Sequence, residues 1–72
     1  MKKKNKIKIK LNGKNLSIDQ NLTVSNLMKK LNIPLNKVAI ELNKKIIDKK
    51  QLTKIALNNK DNLEIVQFIG GG

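Results

Sequence analysis

Lys6-Ile7-Lys8-Ile9-Lys10-Leu11-Asn12-Gly13-Lys14-Asn15-Leu16-Ser17-Ile18 is the stretch from which the fold can be read. Ile7, Ile9 and Leu11 alternate with lysines, the two-residue period of a strand with one buried face. Asn12-Gly13 is the preferred pair for a two-residue type I′ turn, whose twist matches that of the strands it joins. Such a turn sets Leu11 opposite Lys14, Ile9 opposite Leu16 and Ile7 opposite Ile18, with Lys8 and Lys10 meeting Ser17 and Asn15 on the other face. Apolar residues then face apolar residues, so pattern and turn chemistry predict the same hairpin.

Outward from the hairpin, Val24, Leu27, Met28 and Leu31 recur at helical spacing and predict one short amphipathic helix. Thr23 is placed to cap its start and Lys29 and Lys30 suit its end. Asn32 suits a left-handed stop, and Pro34 prevents continuation. Val38 to Leu42 alternates again as a third strand. Asn43-Lys44 marks a tight turn into Lys45-Ile46-Ile47-Asp48, with Lys44 where glycine would be more comfortable. Lys49 to Leu57 has no clear period and predicts a connection containing a helical turn, followed by the polar turn cluster Asn58 to Asn62. The final strand, Leu63 to Ile69, is apolar on both parities apart from Glu64 and Gln67, which predicts a central position with both faces buried. The expected architecture is α+β, one mixed sheet packed on one main helix.

Composition restricts the function. The chain has 72 residues, neither cysteine nor histidine, and five carboxylates, a poor set for a stand-alone enzyme or a metal site. Its formal charge of +11 invites a nucleic-acid reading, but all the basic residues are lysine and the only aromatic is Phe68. Bidentate recognition and base stacking are therefore both missing, and no specific nucleic-acid partner is expected. The lysines travel with isoleucines and asparagines, as an AT-biased coding sequence would produce. Met1-Lys2-Lys3-Lys4 has the charge of a signal peptide, but a lysine–isoleucine alternation follows it instead of an apolar run. No stretch approaches the roughly twenty apolar residues of a membrane span, so a soluble intracellular protein is expected.

The chain ends Phe68-Ile69-Gly70-Gly71-Gly72. Glycines can be a plain frayed end, or a substrate that enters a channel too narrow for a Cβ. Three extended residues reach on the order of 10 Å, enough to enter another protein's active site. A free carboxylate is a poor electrophile, so the second reading requires activation, typically as an acyl-adenylate. Val66 and Phe68 share one parity of the last strand; if Leu63 and Ile65 face the helix, they point outward as a candidate docking patch.

Taken in order, Leu11-Asn12-Gly13-Lys14, Leu22-Thr23-Val24-Ser25-Asn26-Leu27, Val38-Ala39-Ile40-Glu41-Leu42-Asn43 and Glu64 through Gly72 resemble the ThiS family of ubiquitin-like sulfur carriers in thiamine biosynthesis. The resemblance covers nearly all of the chain from Lys6 onward and departs from the family at Lys44, where glycine is usual. It implies a β-grasp domain over residues 1–69, opening in a short basic leader, and a flexible tail at 70–72. It further implies a carrier acted on by enzymes rather than an enzyme. An E1-like, ThiF-like adenylyltransferase using ATP and magnesium would adenylate Gly72. A sulfur donor such as a cysteine desulfurase relay would convert Gly72 to a thiocarboxylate, and a ThiG-like thiazole synthase would receive the sulfur. Gly70, Gly71 and Gly72 would enter the partners' active sites, and the carrier would bind no cofactor or metal itself. The setting implied is the cytoplasm, or a plastid stroma for an organelle-encoded chain. Three other readings stay open: the small subunit of molybdopterin synthase, a ubiquitin-like modifier that joins Gly72 to a target lysine, and a small basic nucleic-acid-binding protein.

Overall fold

The computed structural model describes residues 5–67. β1 (Lys6–Leu11) and β2 (Lys14–Asp19) form the expected hairpin in the expected register, Ile9 opposite Leu16 and Ile7 opposite Ile18. Asn12 and Gly13 both take positive φ, 50° and 83°, as a type I′ turn requires. Lys6 closes the open end of the hairpin, its Nζ 2.7 Å from Asp19 Oδ1.

α1 (Val24–Lys30) lies across the sheet and buries Val24, Leu27 and Met28. Leu31, the fourth residue of its stripe, forms the C-cap and is exposed, and Asn32 ends the helix at φ 58°. The helix start is closed by two sources of acceptors. Thr23 Oγ1 accepts from the Asn26 N–H at 3.1 Å, while the Val24 and Ser25 N–H groups donate to the Ile55 and Leu52 carbonyls of the later crossover. Orphan donors of the first turn are thereby satisfied by a segment some thirty residues downstream in the sequence.

After a 3₁₀ turn at Leu35–Lys37 come β3 (Val38–Leu42) and β4 (Lys45–Ile46). A second 3₁₀ turn, Lys49–Gln51, is capped by Asp48, whose Oδ1 accepts from the Lys50 N–H at 3.0 Å. β5 (Asn62–Gln67) completes a five-stranded sheet in the order β2-β1-β5-β3-β4. β1 and β5 run parallel and the remaining pairs antiparallel. The last strand therefore occupies the centre, as its composition predicts. Its burial does not follow the prediction: Leu63 is buried and Ile65 half-buried, while Glu64 and Val66 are exposed. Among the described residues, helix and crossover cover one face of the sheet, and nothing covers the opposite face, where Lys8, Lys10, Glu64 and Val66 are exposed.

Among the described residues ten make the core, including Ile9, Ile18, Met28, Val38, Ile40 and Leu63. Leu52 and Leu57 of the aperiodic crossover are also fully inside, at 1% and 2% exposure. Their spacing gave no signal because an irregular segment presents side chains to the core wherever its turns happen to point.

The second tight turn carries Asn43 at φ 53° and Lys44 at φ 73°. A left-handed backbone costs an ordinary L-residue about 1–2 kcal/mol, which glycine avoids at some cost in unfolded-state entropy. Lys44→Gly is accordingly expected to stabilise the fold by about 0.5–1 kcal/mol. Urea unfolding of the two proteins measures the difference, and a lower midpoint for the glycine variant would contradict the assignment of strain to this residue.

Candidate functional site at the exit of the last strand

β5 ends at Gln67, three residues before the glycines in the sequence, so whatever holds β5 determines where the described fold ends on that side. On one side it pairs with β3 over five residues, from Val38 opposite Gln67 to Leu42 opposite Leu63. On the other side β1 stops at Leu11, opposite Leu63, and the turn residue Asn12 takes over. The Asn12 N–H donates to the Leu63 carbonyl at 2.9 Å. Its side-chain amide then behaves like one further strand residue: Oδ1 accepts from the Ile65 N–H at 2.7 Å, and Nδ2 donates to the Ile65 carbonyl at 3.3 Å. A single asparagine thus forms the hairpin turn and extends the sheet along β5.

Beyond this clamp lies an open groove of about 500 Å³, lined by Leu11, Asn12, Ile33, Val38, Ile65, Val66 and Gln67. It flanks the last described residues of the chain. Of the residues singled out from the sequence, Val66 is where it was expected, on the open face and 57% exposed. Phe68, Gly70, Gly71 and Gly72 lie outside the described residues.

Two further residues join Val66 on this face. Ala39 sits opposite it on β3, and Ile46, 75% exposed, stands at the β4 end of the neighbouring outward row, Glu64–Glu41–Ile46. Sequence reasoning missed Ile46 because Lys45-Ile46-Ile47 offers two adjacent isoleucines and no period to say which is inside. The structure buries part of Ile47, whose N–H donates to the Ile40 carbonyl at 2.9 Å.

At the start of β5, Asn43 has a role parallel to that of Asn12. Its Oδ1 accepts from the Asn62 N–H at 2.9 Å and its Nδ2 donates to Asp61 Oδ1 at 3.0 Å. The buried Asp61 also accepts from the Asn58 N–H at 2.7 Å. One turn asparagine therefore holds the start of β5 and another its middle.

The model of the ThiS family matches residues 5–72. This chain belongs to the ThiS family. It is 34% identical over 65 residues to the sulfur carrier protein ThiS of Bacillus subtilis, covering 89% of this chain and 98% of that one. It is 39% identical over 66 residues to a thiazole synthase of Paramagnetospirillum magneticum, covering 92% of this chain but 20% of that protein. The chain thus spans about a fifth of that relative's length. Among solved structures, a thiamine biosynthesis protein (ThiS) from Geobacter metallireducens superposes with a TM-score of 0.80 at 26% identity, covering 92% of this chain and all of that one. The sheet order and single helix described above are the β-grasp arrangement of this family.

Asn12→Gly preserves the left-handed turn while removing the amide that bonds Ile65. It is expected to cost about 1–2 kcal/mol, the scale of two hydrogen bonds lost from a strand interior. Hydrogen exchange at the Ile65 amide should accelerate more than exchange at Ile9. Equal acceleration of both amides would mean that the clamp acts only through global stability.

Proposed function

We propose that this chain carries sulfur for thiazole formation in thiamine biosynthesis, with the terminal carbonyl carbon of Gly72 as its reactive atom. Membership of the ThiS family across residues 5–72, glycine tail included, is the observation that carries this reading. The body of the chain offers little to oppose it: five carboxylates and no cysteine or histidine. Among the described residues, no three metal-ligating side chains gather. The chemistry is then performed on the chain by others.

The carboxylate of Gly72 attacks the α-phosphate of ATP in an E1-like adenylyltransferase, releasing pyrophosphate and leaving a glycyl adenylate. Magnesium there belongs to the nucleotide and its enzyme. Hydrosulfide, or the terminal sulfur of a donor's persulfide, attacks the carbonyl carbon and expels AMP. Hydrosulfide gives the thiocarboxylate directly. A persulfide gives an acyl disulfide, which a thiol then reduces to the thiocarboxylate as that thiol and the donor sulfur join in a disulfide. Gly70 and Gly71 provide approach without side chains, so the reacting carbon can enter a narrow channel. The acceptor is a thiazole synthase. Support for that partner comes from the relative of that name, one-fifth of whose length resembles this chain, so that carrier-like and synthase segments share a polypeptide there. Among the described residues no helix is long and apolar enough to cross a membrane. We place the exchange in the cytoplasm, or in a plastid stroma where the chain is organelle-encoded.

Docking uses the open face beside the tail. Val66 is exposed and Ala39 and Ile46 extend its apolar surface, with Phe68 next on the same parity. Intact-mass measurement of the chain from sulfur-replete cells should show one terminal oxygen replaced by sulfur. Deletion of Gly72 should abolish that change and leave the circular dichroism spectrum intact. Covalent conjugates through Gly72 without any thiocarboxylate would favour a protein modifier and overturn the carrier reading. Phe68→Ala or Val66→Ser should lower the rate of adenylation at limiting carrier while preserving the melting temperature.

A further inference from the structure

The open face of the sheet sorts its charges. On β1 the outward residues Lys8 and Lys10 are exposed, with Ser17 and Asn15 opposite them on β2. The loop ahead of β5 runs along the other edge of β1, with the Lys60 N–H donating to the Lys8 carbonyl at 2.7 Å and the Lys8 N–H to Asn59 Oδ1 at 2.9 Å. Lys60 is thereby brought beside Lys8 and Lys10, and the three line a shallow groove of about 160 Å³ with Asn15. Across the sheet Glu64 stands opposite Glu41, and Val66 opposite Ala39. One half of the face is basic; the half nearer the tail is apolar with two carboxylates.

Lys60 adopts φ 73°, a conformation that disfavours a lysine. Four of the six non-glycine residues with positive φ among the described residues are asparagine, which tolerates it better. An AT-biased coding sequence supplies asparagine as readily as lysine, so that bias does not account for lysine at this position. Three ammonium groups gathered on one groove give this half of the face a field that attracts an anionic occupant.

Net charge and side-chain chemistry select that occupant. A second copy of a +11 chain is repelled. A nucleic acid would find no arginine and would meet Glu41 and Glu64 on the same face. We infer that Lys8, Lys10 and Lys60 seat an acidic surface of the enzyme that adenylates Gly72, forming a second attachment point roughly 20 Å along the strand direction from the tail exit. This inference rests on the carrier reading above. Two separated points of contact define a direction, so the docked sheet presents its tail end to the active site and cannot bind reversed.

The experiment is carrier-dependent AMP formation by the adenylating enzyme of the same organism, followed as a function of carrier concentration. The triple variant Lys8→Gln/Lys10→Gln/Lys60→Asn should raise KM for the carrier about tenfold at low salt with kcat unchanged, and the difference should largely vanish at about 0.5 M salt. A control with the same loss of charge on helix and crossover, Lys29→Gln/Lys50→Gln/Lys54→Gln, should change KM less than about twofold. Lys60→Asn alone should raise KM while also raising the melting temperature by about 4 °C, a combination that a purely structural lysine would not give. An equal effect of the control, or no effect of the triple variant, overturns the assignment. Loss of binding to random duplex DNA in the triple variant at unchanged KM would make the groove a nucleic-acid site instead. If the wild-type chain and the Gly72 deletion are equally inert, the carrier reading falls, and this inference falls with it.

Discussion

The placement of β5 between β1 and β3 is the constraint on which the rest of the molecule depends. A strand from the end of the chain must pair in parallel with one from its beginning, and neither is joined to the other by a short loop. β1 is too short to accompany β5 along its whole length: the pairing reaches only Lys10 with Asn62 and Leu11 with Leu63. Three bonds from Asn12 supply the missing partner, from the Leu63 carbonyl to both backbone groups of Ile65. At the other end Asn43, through Asn62 and the buried Asp61, fixes where the strand begins. With β5 held so, Leu63 is fully buried under the helix and Val66 faces outward.

Both of these asparagines are also turn residues at positive φ. One residue type thus satisfies two demands at once, tolerating the left-handed backbone and offering an amide able to mimic a peptide group. Glycine would meet the first demand with less strain but could not meet the second. That distinction explains why the turn positions are not interchangeable. At Asn12 and Asn43 the side chain bonds across to β5 or the loop before it, whereas among the described residues Lys44 and Lys60 gain no such bond in return for their conformation. Strain at Lys44 has no counterpart in the structure that explains it, while Lys60 adds its charge to those of Lys8 and Lys10.

Much of this fold is legible in the residues. The β1–β2 register follows from Asn12-Gly13 and the lysine–isoleucine alternation, and the helix follows from its stripe, Thr23 and Asn32. These are local effects, decided by residues a few positions apart. What cannot be read that way is non-local. Strand order, the burial of Leu52 and Leu57, and the crossover carbonyls that receive the Val24 and Ser25 N–H groups all depend on segments meeting across the fold. The expectation that β5 is covered on both faces fails for a related reason. Apolar residues on both parities signal two contact surfaces, but the second contact need not come from the same chain. Val66, at 57% exposure, is apolar without a covering element among the described residues.

On the carrier reading proposed above, the exposed face and the glycine end require opposite physical properties, which is a reason to build them from different parts of the chain. A reacting terminus has to be narrow and free of side chains, and such a segment has almost nothing by which a partner can recognise it. Recognition must come from a surface rich in distinguishing groups and fixed in shape. β5 carries that exposed face, and its pairing with β3 and the Asn12 clamp fix the strand as far as Gln67, three residues before the glycines in the sequence. On the same carrier reading, an enzyme that gripped Val66 and its neighbours would locate the carbonyl of Gly72 to within the reach of the few residues between them. On that reading, loosening the clamp would widen that range without altering any atom of the tail, so part of the positioning of the reactive group would lie in the folded body.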